Sequence, residues 1–144
     1  MEAKVTFCGG MRFVGQADSG HAVVMDTGEA SGGLDSAVRP NELLLIGLAG
    51  CTGMDVVSIL RKKRQQVTGL ELVVRGDLAP EPPKRFAGLA IEYRVRGRGL
   101  DPAAVARAIE LSETKYCSVG LTLRATVPIT STYTILPPEE DAAT

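Results

Sequence analysis

The stretch of sequence that decides the fold is RPNELLLIGLAGCTGMDVVSILRKKRQQ, residues 39–66. It contains the longest apolar run of the chain, and its apolar residues point in every direction around a helix of 3.6 residues per turn. A helix that is apolar on all sides has to be buried on all sides, so this pattern predicts a long central core helix. Pro40 and Glu42 suit the first turn of that helix, and the basic residues at 61–64 suit its last turn.

The same run is just long enough to cross a membrane, because residues 43–60 match the length of a spanning helix. Asp55 lies well inside it, however, and Thr52 and Ser58 are nearby. A carboxylate near the centre of a spanning helix is costly in lipid. A core helix of a soluble protein is therefore the better interpretation, and we expect no membrane partner.

Three glycines, Gly47, Gly50 and Gly53, recur at every third position of this helix. Each costs about 1 kcal/mol relative to alanine in a helix interior, and the close approach of another backbone would offset that cost. Cys51 stands among these glycines, so main chain rather than large side chains should surround its thiol. On position alone, a buried cysteine of this kind is more often a small hydrophobic residue than a reactive one.

The composition indicates one ordinary domain. The chain has 144 residues, of which 44% are apolar and 23% charged. We expect a single domain over residues 1–136 and a disordered acidic, proline-rich tail over 137–144. The formal net charge of −1 gives no sign of a nucleic-acid partner.

The cysteines exclude two other classes of protein. Three scattered cysteines do not make a secreted disulfide framework, and a single histidine argues against a Cys/His zinc site. We therefore predict no metal and no cofactor. The first residues pass at once into strand-like alternation and do not resemble a signal peptide, so a cytoplasmic protein with reduced thiols is expected.

The hydrophobic pattern along the rest of the chain predicts an α+β fold. Asp101 followed by Pro102 is a helix start. The predicted elements are strands at 2–8, 11–16 and 21–27, a loop at 28–38, strands at 70–75 and 89–96, helices at 102–115 and 119–124, and a strand at 127–135. We expect a curved antiparallel sheet packed on the long buried helix. So short a chain can hardly cover that helix alone, and this favours a homodimer.

A second cysteine, Cys117, lies where one predicted helix ends and the next begins. A helix N-terminus stabilises a thiolate, although a core cysteine is the slightly favoured interpretation of Cys117 by itself. Together with Cys51 it favours two-cysteine redox chemistry. In such chemistry one thiolate is oxidised to a sulfenic acid and the second thiol condenses with it to form a disulfide.

Two motifs resemble those of the OsmC/Ohr family, the osmotically inducible and organic hydroperoxide resistance proteins. PNELL at 40–44, followed by AGC at 49–51, is similar to the acidic motif and first cysteine of that family. IELSETKYCSV at 109–119 is similar to its second-cysteine motif. GGMRF at 9–13 and SGH at 19–21 resemble an OsmC-like branch, so the likeness covers nearly the whole chain.

The resemblance implies an intertwined homodimer and a thiol peroxidase that reduces organic hydroperoxides in oxidative stress defence. Cys51 would be the peroxidatic thiol and Cys117 the resolving thiol, and a dithiol reductant would regenerate them. The family places an acidic residue and an arginine beside the reactive thiol. Glu42 matches the first, and Arg12 is the nearest candidate for the second.

Glu42 and Cys51 are nine residues apart. On one straight helix this places them on opposite sides and roughly 13 Å apart along the axis. Either the helix is broken between them, or Glu42 serves Cys51 of the partner subunit, and the apolar pattern favours the second arrangement.

Several other observations leave alternatives open. His21 is more simply a half-exposed strand residue than a base, and Cys8 is more simply a packing residue. Asp55 lies on the same helix face as Cys51 and either tunes the thiol or is a hydrogen-bonded buried carboxylate. The alternative function is a non-catalytic dimeric domain that binds a small apolar ligand or a partner in the same crevice.

Overall fold

The structure is a computed structural model that describes residues 1–139. It divides into two compact units, residues 1–44 and the chain from Leu45 onward. Whether they act as the single domain expected from the sequence stays a prediction. Of the expected disordered tail, residues 137–139 have no regular secondary structure, and residues 140–144 lie outside the described part.

The first unit is a three-stranded antiparallel sheet, as the alternating pattern predicts. Its strands are β1 (Ala3–Phe7), β2 (Phe13–Ala17) and β3 (Ala22–Met25), in the order β1-β2-β3. The buried carboxylate of Asp26 holds the following loop by accepting hydrogen bonds from Thr27, Leu34 and Ser36. The Ser36 hydroxyl also donates to it at 2.7 Å, and these bonds lower the pKa of Asp26 to about 2.

The long helix α1 (Pro40–Lys62) is unbroken and continues into the second unit. The elements that follow are β4 (Gln66–Leu78), β5 (Phe86–Arg98), α2 (Pro102–Leu111), a π-helical turn (Ser112–Tyr116), α3 (Ser118–Arg124) and β6 (Ile129–Leu136). Asp101 caps α2 by accepting a hydrogen bond from the Ala103 N–H at 2.9 Å, as its sequence indicates.

The second sheet corrects one expectation, because it is not antiparallel throughout. Its order is β4-β5-β6; β4 and β5 are antiparallel, but β6 runs parallel to β5, with Tyr93 opposite Tyr133. Parallel neighbours need a long crossover connection, usually a helical one. Helices α2 and α3 supply that crossover and return the chain to the end of the sheet where β5 begins.

The core of the second unit lies between α1, α2 and the central strand β5. From α1 it takes Leu48, Val56 and Leu60, each at most 1% exposed. The other buried members are Leu89, Ile91, Tyr93, Val95, Leu100, Ala104, Val105, Ala108, Ile109, Cys117 and Ile129. This core fixes the inward face of α1, from which the candidate site is built.

The outward face of α1 is not covered by the described part of the chain, so its burial in a homodimer, as expected from the sequence, stays a prediction. Ile46 is 57% exposed and Met54 is 76% exposed. Only 22% of its most apolar 18-residue window is buried, and the mean hydropathy of that window is 2.0. By length and composition it could cross a membrane, a test that the core helix of a soluble protein also passes.

The glycines of α1 lie on both faces of the helix. A Cβ atom built on Gly53 would lie 3.1 Å from Leu72, which explains the glycine there. A Cβ atom on Gly47 or Gly50 would meet no atom within 4 Å in the described part of the chain, beyond the helix's own neighbouring backbone. The close backbone approach expected at these two positions is therefore not made within the described part of the chain, and it stays a prediction.

We expect Gly47→Ala and Gly50→Ala each to lower the dimer fraction at low micromolar concentration, because an added methyl group would hold the second backbone away. Sedimentation velocity measures this. Gly88→Ala is the matched control, since Gly88 also has free space but lies on β5.

On a solvent-exposed helix the same two substitutions would instead stabilise the protein by about 1 kcal/mol each. Variants that keep the assembly state of the wild type and unfold at a higher urea concentration would therefore contradict a dimer contact at Gly47 and Gly50.

Candidate active site

The two predicted cysteines meet in the second unit. The sulfur atoms of Cys51 and Cys117 and a carboxylate oxygen of Asp55 all lie within 4.8 Å of one another. Both thiols are free; Cys51 is half-buried, and Cys117 is 1% exposed. A disulfide needs a sulfur–sulfur bond of about 2.05 Å, so a modest local movement would join them.

The π-helical turn positions the second thiol. After α2 the backbone widens, and the Cys117 N–H donates to the carbonyl of Ser112 at 2.8 Å, five residues back. Turns of this type occur often at functional sites. Cys117 then caps α3 and its sulfur accepts a hydrogen bond from the Gly120 N–H at 3.2 Å. A Cβ atom at Gly120 would approach that sulfur to 3.2 Å, so a small residue is needed there.

The protonation of Cys117 differs from the expectation drawn from its place at a helix start. Burial, together with a hydrogen bond to Cys51, raises the pKa of the Cys117 thiol to about 12. The single Gly120 N–H opposes this and does not overcome the loss of solvent. Cys117 therefore stays a thiol at neutral pH, and the more accessible Cys51 is the candidate nucleophile.

A buried chain of oxygen atoms leads away from the two thiols. The Ser112 hydroxyl donates to Asp55 at 3.0 Å, and the Thr52 hydroxyl lies 2.8 Å from both the Ser112 and the Tyr93 hydroxyls. Tyr93 donates to Glu113 at 3.1 Å. Burial raises the pKa of Tyr93, so it stays a phenol.

The far end of this chain is an ion pair. A carboxylate oxygen of Glu113 lies 3.1 Å from an Arg124 nitrogen, and the two side chains are 16% and 31% exposed. Arg124 also donates to the carbonyl of Ile129 at 2.9 Å, which fixes the guanidinium.

Of the residues in this row of hydrogen-bonded oxygen atoms, only Asp55 was expected from the sequence to lie near a reactive thiol. The weak signals for the rest were a threonine inside an apolar helix and a tyrosine on the inward side of an alternating strand.

The other two predicted site residues lie in the first unit. Arg12 is exposed, in the turn that leads into β2, and its N–H donates to the carbonyl of Gly9 at 3.1 Å. Glu42 accepts a hydrogen bond from the Arg39 N–H at 2.8 Å, so it caps the start of α1. Their roles beside the thiol stay predictions.

The continuity of α1 excludes one of the two arrangements proposed for Glu42, and the other, a role beside Cys51 of a partner subunit, stays a prediction. The helix is unbroken between Glu42 and Cys51, so a break does not bring them together.

His21 and Cys8, for which the sequence indicated no catalytic role, both lie at the surface. His21 is exposed just before β3. Cys8 is exposed rather than packed in a core, so the expectation that it is a packing residue is wrong.

The thiol site also brings together three side chains of the metal-binding types. Cys51, Asp55 and Cys117 are the only group of His, Cys, Asp or Glu side chains this close together in the described part of the chain. They offer three ligand atoms, whereas a structural zinc site uses four. We assign no metal to this site.

Comparison with known proteins shows the family of the chain. Residues 33–132 match the family model described as OsmC-like protein. Protein YhfA of Escherichia coli strain K12 is 40% identical over 136 residues, which cover 94% of this chain and 98% of YhfA. The chain belongs to the OsmC-like protein family, and this confirms the resemblance drawn from its motifs.

Solved structures confirm the α+β fold class. A hypothetical protein from Aquifex aeolicus VF5 superposes with a TM-score of 0.83 at 26% identity, over 96% of this chain and 97% of that one. An organic hydroperoxide resistance protein OsmC from Legionella pneumophila gives a TM-score of 0.68 at 17% identity, over 92% and 95%. The second likeness shows the fold alone.

We expect Cys117 to resist alkylation in the folded protein at pH 8, because a pKa of about 12 leaves very little thiolate. Unfolding removes the burial and should raise its rate with iodoacetamide at least roughly 100-fold. Mapping the alkylated peptides by mass spectrometry measures this, and the exposed Cys8 is the internal control. Equal rates for Cys117 before and after unfolding would contradict the burial effect.

Proposed function

We propose that this protein is a thiol-dependent peroxidase that reduces organic hydroperoxides as part of oxidative stress defence. The observation that carries the proposal is the meeting of two free thiols within 4.8 Å, with a carboxylate beside them. The half-buried Cys51 is the peroxidatic thiol. The fully buried Cys117 is the resolving thiol.

The reaction balances with a hydroperoxide and a dithiol reductant. The Cys51 thiolate attacks the outer oxygen of the hydroperoxide, the O–O bond breaks, and the departing alkoxide takes a proton to become an alcohol. Cys51 is then a sulfenic acid. The Cys117 sulfur attacks it, the disulfide forms, and water leaves. A dithiol reduces this disulfide by exchange and is itself oxidised.

The family supports this reaction class. Among the solved structures with the same fold is a protein whose name states organic hydroperoxide resistance. A raised pKa at the buried thiol also suits a two-step cycle, because it keeps Cys117 protonated while Cys51 meets the oxidant.

The proposal includes a homodimer in the cytoplasm, where thiols stay reduced. The exposed apolar face of α1 and its two uncovered glycines favour a second copy at this face. Since Glu42 does not reach Cys51 along its own unbroken helix, we place Glu42 beside Cys51 of the partner. Arg12 is the candidate for the arginine beside the thiolate.

One observation favours the alternative function, an apolar ligand-binding domain without catalysis. A groove of about 700 Å³ runs along the exposed face of α1. It is lined by Ala49, Gly50, Gly53, Met54, Val57, Ser58, Arg61, Lys62 and Leu72. We assign this groove to the dimer contact, because Gly50 and Met54 of its lining belong to the uncovered face where the second copy is placed.

Replacing each cysteine separates the two steps. Cys51→Ser should abolish hydroperoxide consumption, because no thiolate remains to attack. Cys117→Ser should still react once and then accumulate the sulfenic acid and its over-oxidised forms. Intact-protein mass spectrometry and peroxide assays measure both, with Cys8→Ser as the matched control that keeps full turnover. Unchanged turnover in Cys51→Ser would overturn the assignment.

A mixed dimer tests the shared site. Glu42→Gln keeps an acceptor for the Arg39 N–H, and so the helix cap, while it removes the charge. A dimer of one Cys51→Ser subunit and one Glu42→Gln subunit has one site with both Cys51 and Glu42 and one site with neither.

Activity of the mixed dimer should return to about half that of the wild type, far above either parent variant. Failure to recover any activity, with heterodimers formed and Glu42→Gln itself impaired, would show that Glu42 does not act on the partner's thiol.

A further inference from the structure

The oxygen chain beside the thiols holds fewer protons than it has contacts. Four contacts of 3.0, 2.8, 2.8 and 3.1 Å link Asp55 to Glu113 through the hydroxyls of Ser112, Thr52 and Tyr93. Each hydroxyl supplies one proton, so the three supply three protons. Ser112 and Tyr93 donate outward to the two carboxylates, and the one proton of Thr52 can serve only one of its two neighbours. One contact is left without a proton while both carboxylates are ionised.

Solvent does not relieve this shortage. Ser112 and Tyr93 are 0% exposed, and Thr52 is 1% exposed. Buried oxygen atoms that face each other without a proton between them are unfavourable, because each has given up its hydrogen bonds to water. The chain is therefore stabilised by the uptake of one proton.

The ends of the chain determine where that proton goes. At one end the Glu113 carboxylate is paired with the Arg124 guanidinium at 3.1 Å, so a proton placed there would give up that ion pair. At the other end, Asp55 has the sulfur atoms of Cys51 and Cys117 within 4.8 Å. With Tyr93, which donates to Glu113, these are the titratable and charged groups found in contact with the two carboxylates in the described part of the second unit. A proton on Asp55 lets every member donate in one direction, from Asp55 through Ser112, Thr52 and Tyr93 to Glu113.

We propose that this chain of buried oxygen atoms accepts the proton of the Cys51 thiol, an inference that rests on the proposed peroxidase function. Cys51 loses its proton to Asp55, and the hydroxyls of Ser112, Thr52 and Tyr93 turn so that all four contacts are filled. After the thiolate attacks the hydroperoxide and the O–O bond breaks, Asp55 gives the proton to the departing alkoxide, which leaves as an alcohol. Asp55 is then ionised again, and no further reactant is consumed.

The roles within the chain differ. Asp55 exchanges the proton with the reacting groups and is a catalytic residue in this account. Thr52, Tyr93 and Ser112 are positioning residues, because they act through Asp55. Thr52 is the most informative of them to replace, because its single hydroxyl proton can fill only one of its two contacts, with Ser112 or with Tyr93.

Thr52→Val tests this proton relay, by which we mean the row of oxygen atoms from Asp55 to Glu113. Thr52→Ser is the conservative variant that keeps the hydroxyl. Valine divides the row of oxygen atoms into two separate contacts, Ser112 with Asp55 and Tyr93 with Glu113. Each contact has its own hydroxyl proton while the carboxylate is ionised. Protonation of Asp55 therefore stabilises the variant less than the wild type. The pH at which alkylation of Cys51 by iodoacetamide reaches half its maximal rate should rise by about one unit, the effect of roughly one hydrogen bond. Thr52→Ser should match the wild type.

A second pair of variants covers the case in which Thr52→Val does not fold. Tyr93→Phe also removes the shortage of protons and should shift the alkylation profile in the same direction. Tyr133→Phe is its matched control, because Tyr133 lies opposite Tyr93 on β6 and is 41% exposed. Single-turnover reduction of tert-butyl hydroperoxide at pH 7 should be about tenfold slower in Thr52→Val and Tyr93→Phe.

The two readouts separate the two proposals. Alkylation profiles of Thr52→Val and Tyr93→Phe that coincide with those of Thr52→Ser and Tyr133→Phe would overturn the relay, even in an active peroxidase. The opposite result is also informative. If Thr52→Val and Tyr93→Phe shift the alkylation profile as expected, but the wild-type protein does not reduce the hydroperoxide, the proton acceptor is supported and the peroxidase function is not.

Discussion

The hydrogen bond between the hydroxyls of Thr52 and Ser112, 2.8 Å long and fully buried, joins the two halves of the site. Thr52 follows Cys51 on α1, and Ser112 accepts the backbone bond that positions Cys117. The contact therefore connects the element that carries one thiol to the turn that carries the other. Replacing either residue with an apolar one would break this polar link between the two elements. The contact and the apolar core around it together hold the two thiol-bearing elements against each other.

Helix α1 has to meet two demands, and its composition follows from both. Its inward face supplies Leu48, Val56 and Leu60 to the core, and the same helix places Cys51, Thr52 and Asp55 at the site. Its outward face is also apolar, although nothing in the chain's described part covers Ile46 or Met54. A helix used only for catalysis would carry charge there. The apolar outward face agrees with our proposal that assembly and activity share one helix.

The features that could be predicted from the sequence are those with a local signature. The length of α1, the alternation in β5 and the Asp101 cap each follow from a periodicity or a residue type at one place in the chain. The same holds for the cysteine pair, whose flanking motifs resemble the family to which the chain belongs. What these features share is that no distant contact is needed to recognise them.

The features that could not be predicted depend on distant partners. The parallel direction of β6 depends on where the α2–α3 crossover returns the chain, and no residue of β6 records it. The π-helical turn is one residue wider than an α-helical turn, a difference too small for a hydrophobic pattern to show. Tyr93 looked like any inward strand residue, and only its 2.8 Å contact with Thr52 gives it a polar role. The raised pKa of Cys117 likewise follows from burial by neighbours far away in sequence.

The proposed chemistry requires Cys51 and Cys117 to act as one redox pair. The most direct measurement is to treat the fully reduced wild-type protein with one equivalent of an organic hydroperoxide, count the remaining thiols, and map the disulfide by mass spectrometry. The account predicts the loss of two thiols per chain and an intrachain disulfide between Cys51 and Cys117, with Cys8 still free. A protein that keeps all three thiols, or forms its disulfide through Cys8, would contradict it.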